Sequence, residues 1–367
     1  MSVREAKVVV VGAGINGLCT AWQLAGELDG ADVVMVDQFA PGHSRGSSHG
    51  EERIIRSTYE SVDWVLAMQR AQGELWPALA ADLARPLLVP GSAVFWGPET
   101  GPIAAYSEAV RAIGSRVEEI DDAEARARFP HMSFAGAERV LHDHSAGLIA
   151  AGETVRGLEA WLQARGVERR VGKVTALEDD GSGVKIVVDG EVSLRAEVVV
   201  VTAGPWVGEL VREFASRVIA TRQDVGYWEM DVAPGRTPAW VYLGDLGLEY
   251  GMPALGGGVM KAAMHRQVPE APGGDPGRDD PNVIGEASEA RLVTTEAHLR
   301  DWFLPGPGRR IRGETCFFTN APGDQFLLEA SPASPRVLVV SACSGHAFKL
   351  APLTGEAAAR WAVARVS

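Results

Sequence analysis

Near its start the chain reads "KVVVVGAGINGLCTAWQLA", and no other stretch constrains the fold as tightly. Four consecutive valines, a strand signal, run into Gly12, Gly14 and Gly17, spaced G-x-G-x-x-G, and a helical apolar pattern follows. Each glycine has its own task in such a strand–turn–helix unit. Gly12 permits the tight turn, Gly14 lets the backbone approach a pyrophosphate, and Gly17 lets the helix lie close on the strand. The helix then presents its positive end to the phosphates. A second strand, "ADVVMVD", ends in Asp37, about 20 residues past the last glycine, where an acid grips an adenosine ribose. Cys19 falls inside the helix and reads as a small core residue.

This fingerprint alone does not separate NAD from FAD. Two later stretches bear on it. "EVVVVTAGPW" (197–206) is another buried strand with a small-residue turn, and "RVLVVSACSGHAFKLAPLTGEAAARWAVA" (336–364) is a third, followed by a turn and a terminal helix. The chain therefore returns twice to one α/β unit, which suits an FAD-binding domain carrying an inserted substrate domain. We expect residues 1–88, 149–220 and 323–367 to form a Rossmann-type FAD-binding domain. Residues 89–148 and 221–322 then form an antiparallel β-sheet substrate domain, since runs such as "DVGYWEMDV" and "PAWVYLGDLGLEYGMP" alternate and are rich in aromatics. "VPEAPGGDPGRDDPN" (268–282) reads as a surface loop.

A net charge of −13 argues against a nucleic-acid partner, because phosphate binding needs clustered positive charge. No run of about 18 apolar residues is present, so no membrane span is expected. The first residues show no apolar core followed by a cleavage site. Three cysteines (Cys19, Cys316 and Cys343) make no disulfide framework, and a cytoplasmic protein is expected. There are only five lysines: Lys7, Lys173, Lys185, Lys261 and Lys349.

"GSSHGEERIIRSTYE" (46–60) offers His49, Arg53, Arg56 and Tyr59. On their own, Arg53 and Arg56 at i, i+3 read equally well as a solvated basic face. "RGETCFFTN" (312–320) isolates Cys316 from any second cysteine or metal-ligand spacing. In "LHDHSAG" (141–147), His142 and His144 supply two metal ligands at most, with no third in view, so no metal is expected.

Taken with "GAGINGL", "GSSHGEERIIR", "EYGMPALGGGVMKAAMH", "RGETCFFTNAPGDQFLLE" and "CSGHAFKLAP", the chain resembles the monomeric sarcosine oxidases and their relatives, N-methyltryptophan oxidase and pipecolate oxidase. The resemblance spans essentially the whole chain and rests on five motifs in order and at family spacing. It implies a D-amino-acid-oxidase-like fold and a monomer, with FAD attached through its 8α-methyl group to the sulfur of Cys316. The implied substrate is an amino acid with a secondary nitrogen, N-methylated or in a ring. Hydride passes to flavin N5, an imine forms, and O2 takes the electrons to give hydrogen peroxide. Arg56 and Lys349 match the residues that hold the substrate carboxylate, and Lys261 matches the lysine beside the flavin that reacts with oxygen. Arg53 is expected against the flavin. His49, His265 and His346 match positions that order hydrogen bonds around flavin or substrate, and Val174 and Gly345 join the flavin-holding set. Tyr250 matches a tyrosine near the substrate, with a core tyrosine as the alternative.

Three departures from the family pattern stand out. Cys343 replaces an aromatic residue before "SGHAF", Ala347 stands where glycine is frequent, and Phe318 where tyrosine is usual. Cys343 suggests room for a substrate bulkier than N-methylglycine. A flavin-dependent dehydrogenase with a non-oxygen acceptor, and a non-catalytic nucleotide binder, are the competing readings. The retained Arg56, Lys261, Cys316 and Lys349 argue against the second.

Overall fold

The fold is known from a computed structural model that describes residues 3–134, 137–244, 247–265, 278–341 and 344–367. Its first sheet is built on the strand Arg4–Val11, flanked by Val33–Asp37 on one side and Glu191–Val201 on the other, all parallel. Glu168–Val171 extends it beyond Val33–Asp37, and Ser334–Ser341 adds in parallel to Glu191–Val201. The meander Val174–Asp179, Val184–Val188 and Glu191–Val201 makes its antiparallel edge. Val8 and Val10 face one core and Val9 and Val11 the other. Continuous valine runs fold this way because a parallel sheet is covered on both faces and has no solvent side to keep polar.

The helices Ile15–Glu27 and Ala347–Val363 pack together on one of those faces. Their contact is close: a Cβ on Gly355 would lie 2.6 Å from the backbone carbon of Cys19. Cys19 is fully buried there, and burial pushes its thiol far above the usual range, as expected of an inert core cysteine.

The second sheet has the strand order Arg310–Asn320, Ile219–Glu229, Val259–Met264, Gly247–Pro253, Ala239–Gly244, Ala93–Gly97, Arg139–Asp143 and Val117–Ile120. Its pairs are antiparallel except Ala239–Gly244 with Ala93–Gly97, which run parallel. Period-2 alternation divides its strands between two faces. Met260, Ala262, Trp228 and Trp240 enter a core closed by the helix Glu289–Trp302. Lys261 and Ala263, together with Tyr227, Tyr250, Cys316 and Phe318, belong to the opposite face. A three-stranded antiparallel sheet, Glu52–Ile55, Gly147–Ala150 and Leu88–Pro90, lies between the two larger ones in sequence. Most of the 268–282 loop lies outside the described residues, as does Cys343.

Candidate active site

A cavity of ≈ 550 Å³ runs from the glycine turn to the free face of the second sheet. At the turn, Gly12 has φ +103°, and a Cβ there would lie 2.4 Å from the Thr202 carbonyl oxygen. Gly17 lies beneath the wall rather than on it, where a Cβ would come within 1.9 Å of the Gly12 carbonyl oxygen. Gly14 is the N-cap of Ile15–Glu27 and gives its first-turn N–H groups no side-chain partner. Ser48 Oγ accepts the Ile15 N–H at 2.9 Å. Asp37 accepts the Ala13 N–H at 2.7 Å and the Phe39 N–H at 2.8 Å, which fixes the turn while leaving lone pairs over. Val174 lines this end too.

The segment 46–56 forms the next wall. Arg53 donates to the carbonyl oxygens of Glu52 at 2.8 Å, Ser47 at 2.9 Å and His49 at 2.5 Å, and it lies over the Phe348 ring. It is a backbone clamp as well as a cavity cation. His49 Nδ1 is 3.0 Å from the Gly46 carbonyl oxygen, and burial followed by the Arg53 charge lowers its pKa.

At the far end, the Arg56 guanidinium is 5% exposed and sits over Tyr59 at 4.0 Å, with Phe95 and Tyr106 around it. Among the described residues no carboxylate lies within ion-pair distance of it. Lys349 Nζ is 6.0 Å from the same Tyr59 ring. The terminal helix begins at Ala347, so both Ala347 and Lys349 stand in its first turn. Gly345, at φ +80°, makes that turn; a Cβ on it would lie 2.8 Å from the Phe318 ring. His346 Nδ1 is 3.2 Å from Tyr59 Oη. Burial, then the charges of Lys349 and Arg56, hold His346 well below its ordinary pKa, and burial with Lys349 pushes His265 down to about 4. Both imidazoles are neutral at pH 7, so the positive charge here belongs to Arg56 and Lys349.

On the sheet face, Lys261 Nζ donates to the Glu52 carbonyl oxygen at 3.3 Å and is 3.6 Å from its carboxylate. Burial, then Arg53, push Lys261 down to about 8, against the pull of Glu52 and Glu314. Tyr227 donates its hydroxyl to Glu314, and Arg312 covers the Tyr227 ring at 3.8 Å. Cys316 is half-buried on Arg310–Asn320, paired in register with Gln223, and lines the cavity with Tyr250 and His265.

Residues 7–361 match the family described as FAD dependent oxidoreductase. The chain belongs to that family. Its cofactor is therefore FAD, and the residues present fit it. The glycine turn has no room for a Cβ, the N-cap Gly14 contributes no capping side chain of its own, and cations line the cavity beyond. This FAD dependent oxidoreductase is 30% identical to the peroxisomal sarcosine oxidase of Homo sapiens, over 95% of this chain and 90% of that one. It is also 30% identical to N-methyl-L-tryptophan oxidase of Yersinia pestis (strain Pestoides F), over 97% and 94%. The fold is shared with NikD, an amino acid oxidase essential for nikkomycin biosynthesis, at TM-score 0.84 and 24% identity, covering 100% of this chain and 95% of that one.

The residues expected to hold cofactor or substrate line this cavity, except Gly17, which lies beneath it; Cys19, Tyr59, His142 and His144 do not line it. Sequence reasoning missed Glu52, Glu314, Tyr227 and Asp143. Each of the four has at least one partner remote in sequence, and no local pattern announces that pairing. It also found no third partner for His142 and His144. Glu118, in register with His142 across the strands, comes within reach of both. That cluster already contains a cation: Arg128 is 2.7 Å from Glu118 and 3.1 Å from His142 Nδ1.

Proposed function

We propose that this FAD dependent oxidoreductase is an oxidase of a secondary amino acid, its nitrogen N-methylated or in a ring. One observation carries the reading. Two buried cations, Arg56 and Lys349, flank one ring at the end of the cavity away from the glycine turn. Two cationic groups beside one ring in a low-dielectric site attract an anion, and Lys349 stands in the first turn of the terminal helix, at the positive end of its dipole. A carboxylate satisfies all three, with Arg56 as a two-pronged donor and Lys349 as a point charge. The substrates for which these relatives are named, sarcosine and N-methyl-L-tryptophan, each carry a carboxylate and a secondary nitrogen.

Bound FAD supplies the two-electron acceptor for hydride from the C–H beside that nitrogen, and O2 is then reduced to hydrogen peroxide. Arg56 and Lys349 orient the substrate, with Tyr250 and His265 beside it. Lys261 holds a positive charge in a dry wall, where it stabilises an anion developing on oxygen. Gly12, Gly14, Asp37 and Val174 hold the dinucleotide, while His49, Arg53, Gly345 and His346 hold the ring. Cys316 tethers the flavin through its sulfur. The chain divides into 1–88, 149–220 and 323–367 for the cofactor and 89–148 and 221–322 for substrate, and acts as a cytoplasmic monomer.

The test is anaerobic bleaching of the yellow band by N-methylglycine, L- and D-proline, L- and D-pipecolate and N-methyltryptophan. At least one should bleach it rapidly, and its carboxamide should not. Faster bleaching by a primary amino acid than by every secondary one rejects the assignment.

A further inference from the structure

Beside the Arg56 end of the cavity lies a buried polar network centred on Asp143, which is 0% exposed. Its Oδ2 accepts from the Ser57 N–H at 2.8 Å, the Thr58 N–H at 3.1 Å and the Thr58 hydroxyl at 2.9 Å. Its Oδ1 accepts from the Ser145 N–H at 2.9 Å and the Ser145 hydroxyl at 2.6 Å. No cation lies within ion-pair distance of it among the described residues. Five donors converge on it, a pattern only a carboxylate can satisfy. Asparagine would turn an NH2 group onto donors.

Ser57 and Thr58 directly follow Arg56, and the Arg56 guanidinium folds back onto the Thr58 carbonyl oxygen. The peptide that Arg56 grips is thus the one whose neighbouring N–H groups Asp143 holds. A second layer supports this contact. Ser57 donates its hydroxyl to Gln72 Oε1 at 2.6 Å, and Gln72 Nε2 donates to the Ser145 carbonyl oxygen at 3.2 Å. Gln72 lies in a π-helical turn, Ala71–Leu75, a local widening that recurs at functional sites. Trp76, immediately after it, donates its indole N–H to the Lys349 carbonyl oxygen at 2.8 Å. One helical stretch therefore braces both cationic arms.

We infer that Asp143 is a positioning residue: by locking segment 57–58 it holds the Arg56 guanidinium at the place where the substrate carboxylate binds. The inference rests on the proposed carboxylate role of Arg56. Asp143 ends the strand Arg139–Asp143 of the second sheet, whereas Arg56 follows the strand Glu52–Ile55, so the carboxylate couples two separate sheets.

The test titrates the holoenzyme with cyclopentanecarboxylate and with cyclopentanecarboxamide, neither of which has an oxidisable C–N bond, and reads the flavin absorbance. Asp143→Asn should weaken carboxylate binding about tenfold and leave the carboxamide unchanged. The near-isosteric Thr58→Val, which removes one donor, should weaken the carboxylate about threefold, and it decides the matter if Asp143→Asn does not fold. Equal weakening of both ligands, or unchanged carboxylate affinity, overturns the inference. Arg56→Gln separates the two layers. If it leaves carboxylate affinity intact, the carboxylate role of Arg56 itself falls. If it weakens the carboxylate while Asp143→Asn or Thr58→Val does not, only the positioning role falls.

Discussion

Lys261 is where burial and charge compete most openly. At 5% exposure it is desolvated and sits near Arg53, both of which disfavour its charge, while Glu52 and Glu314 favour it. The outcome, about 8, leaves the ammonium mostly charged at neutral pH. A lowered lysine pKa means the charged form exists below that value and is lost above it. Reaction of the reduced enzyme with O2, followed by stopped flow, should therefore be fast at pH 6–7 and decline as pH rises through about 8. Lys261→Met should be slow throughout and lack that step, with anaerobic reduction by substrate little changed. The same pH step in Lys261→Met assigns it to another group. The lysine was legible through the motif "GVMKAAMH", by its match to the lysine of the family that the chain resembles. Its partner Glu52 was not, since 209 residues separate them and a buried acid looks like a surface acid in sequence. Asp143 was passed over for the same reason, its partners on segment 57–58 being 85 and 86 residues away.

At the scale of the element, the helix Ile15–Glu27 carries two glycines with opposite consequences. A Cβ on Gly17 would collide with the Gly12 carbonyl oxygen, whereas one on Gly26 meets nothing within 4 Å. Gly17→Ala must push the helix off the strand, so it should cost about 1–3 kcal/mol in a denaturant melt and impair FAD retention. Gly26→Ala should stabilise by about 0.5–1 kcal/mol, because only the helix's backbone entropy changes. Equal effects of the two would remove the close packing as the reason for the motif. Elements of this kind were readable because their glycine spacing and apolar period are local. The parallel pairing of Ala93–Gly97 with Ala239–Gly244 was not, because two short strands far apart in sequence carry no mark of their partner. Nor was the π-helical turn at Ala71–Leu75, whose residues read as ordinary helix.

Across the whole molecule, the cavity is walled by the glycine turn of one sheet and the free face of the other, from Gly12 to Lys261 and Cys316. The two-sheet plan was visible in the sequence because the valine-rich α/β pattern returns near residues 200 and 340. The three-stranded sheet that carries Arg53 was not, since its strands are only three or four residues long. A ligand that fills such a cavity binds only when both sheets are in place, so its binding free energy adds to their joint stability. If Cys316 is the tether, acid-precipitated wild-type protein should stay yellow and its melting temperature should ignore added FAD. Cys316→Ser should release the colour into the acid supernatant. Stripped of flavin, it should melt lower than wild type and regain stability with the logarithm of FAD concentration, by about 4 kcal/mol at a thousand times Kd. Colour that leaves the wild type on acid treatment rejects the tether. A stripped variant whose melting does not respond to FAD rejects the cavity as the cofactor site.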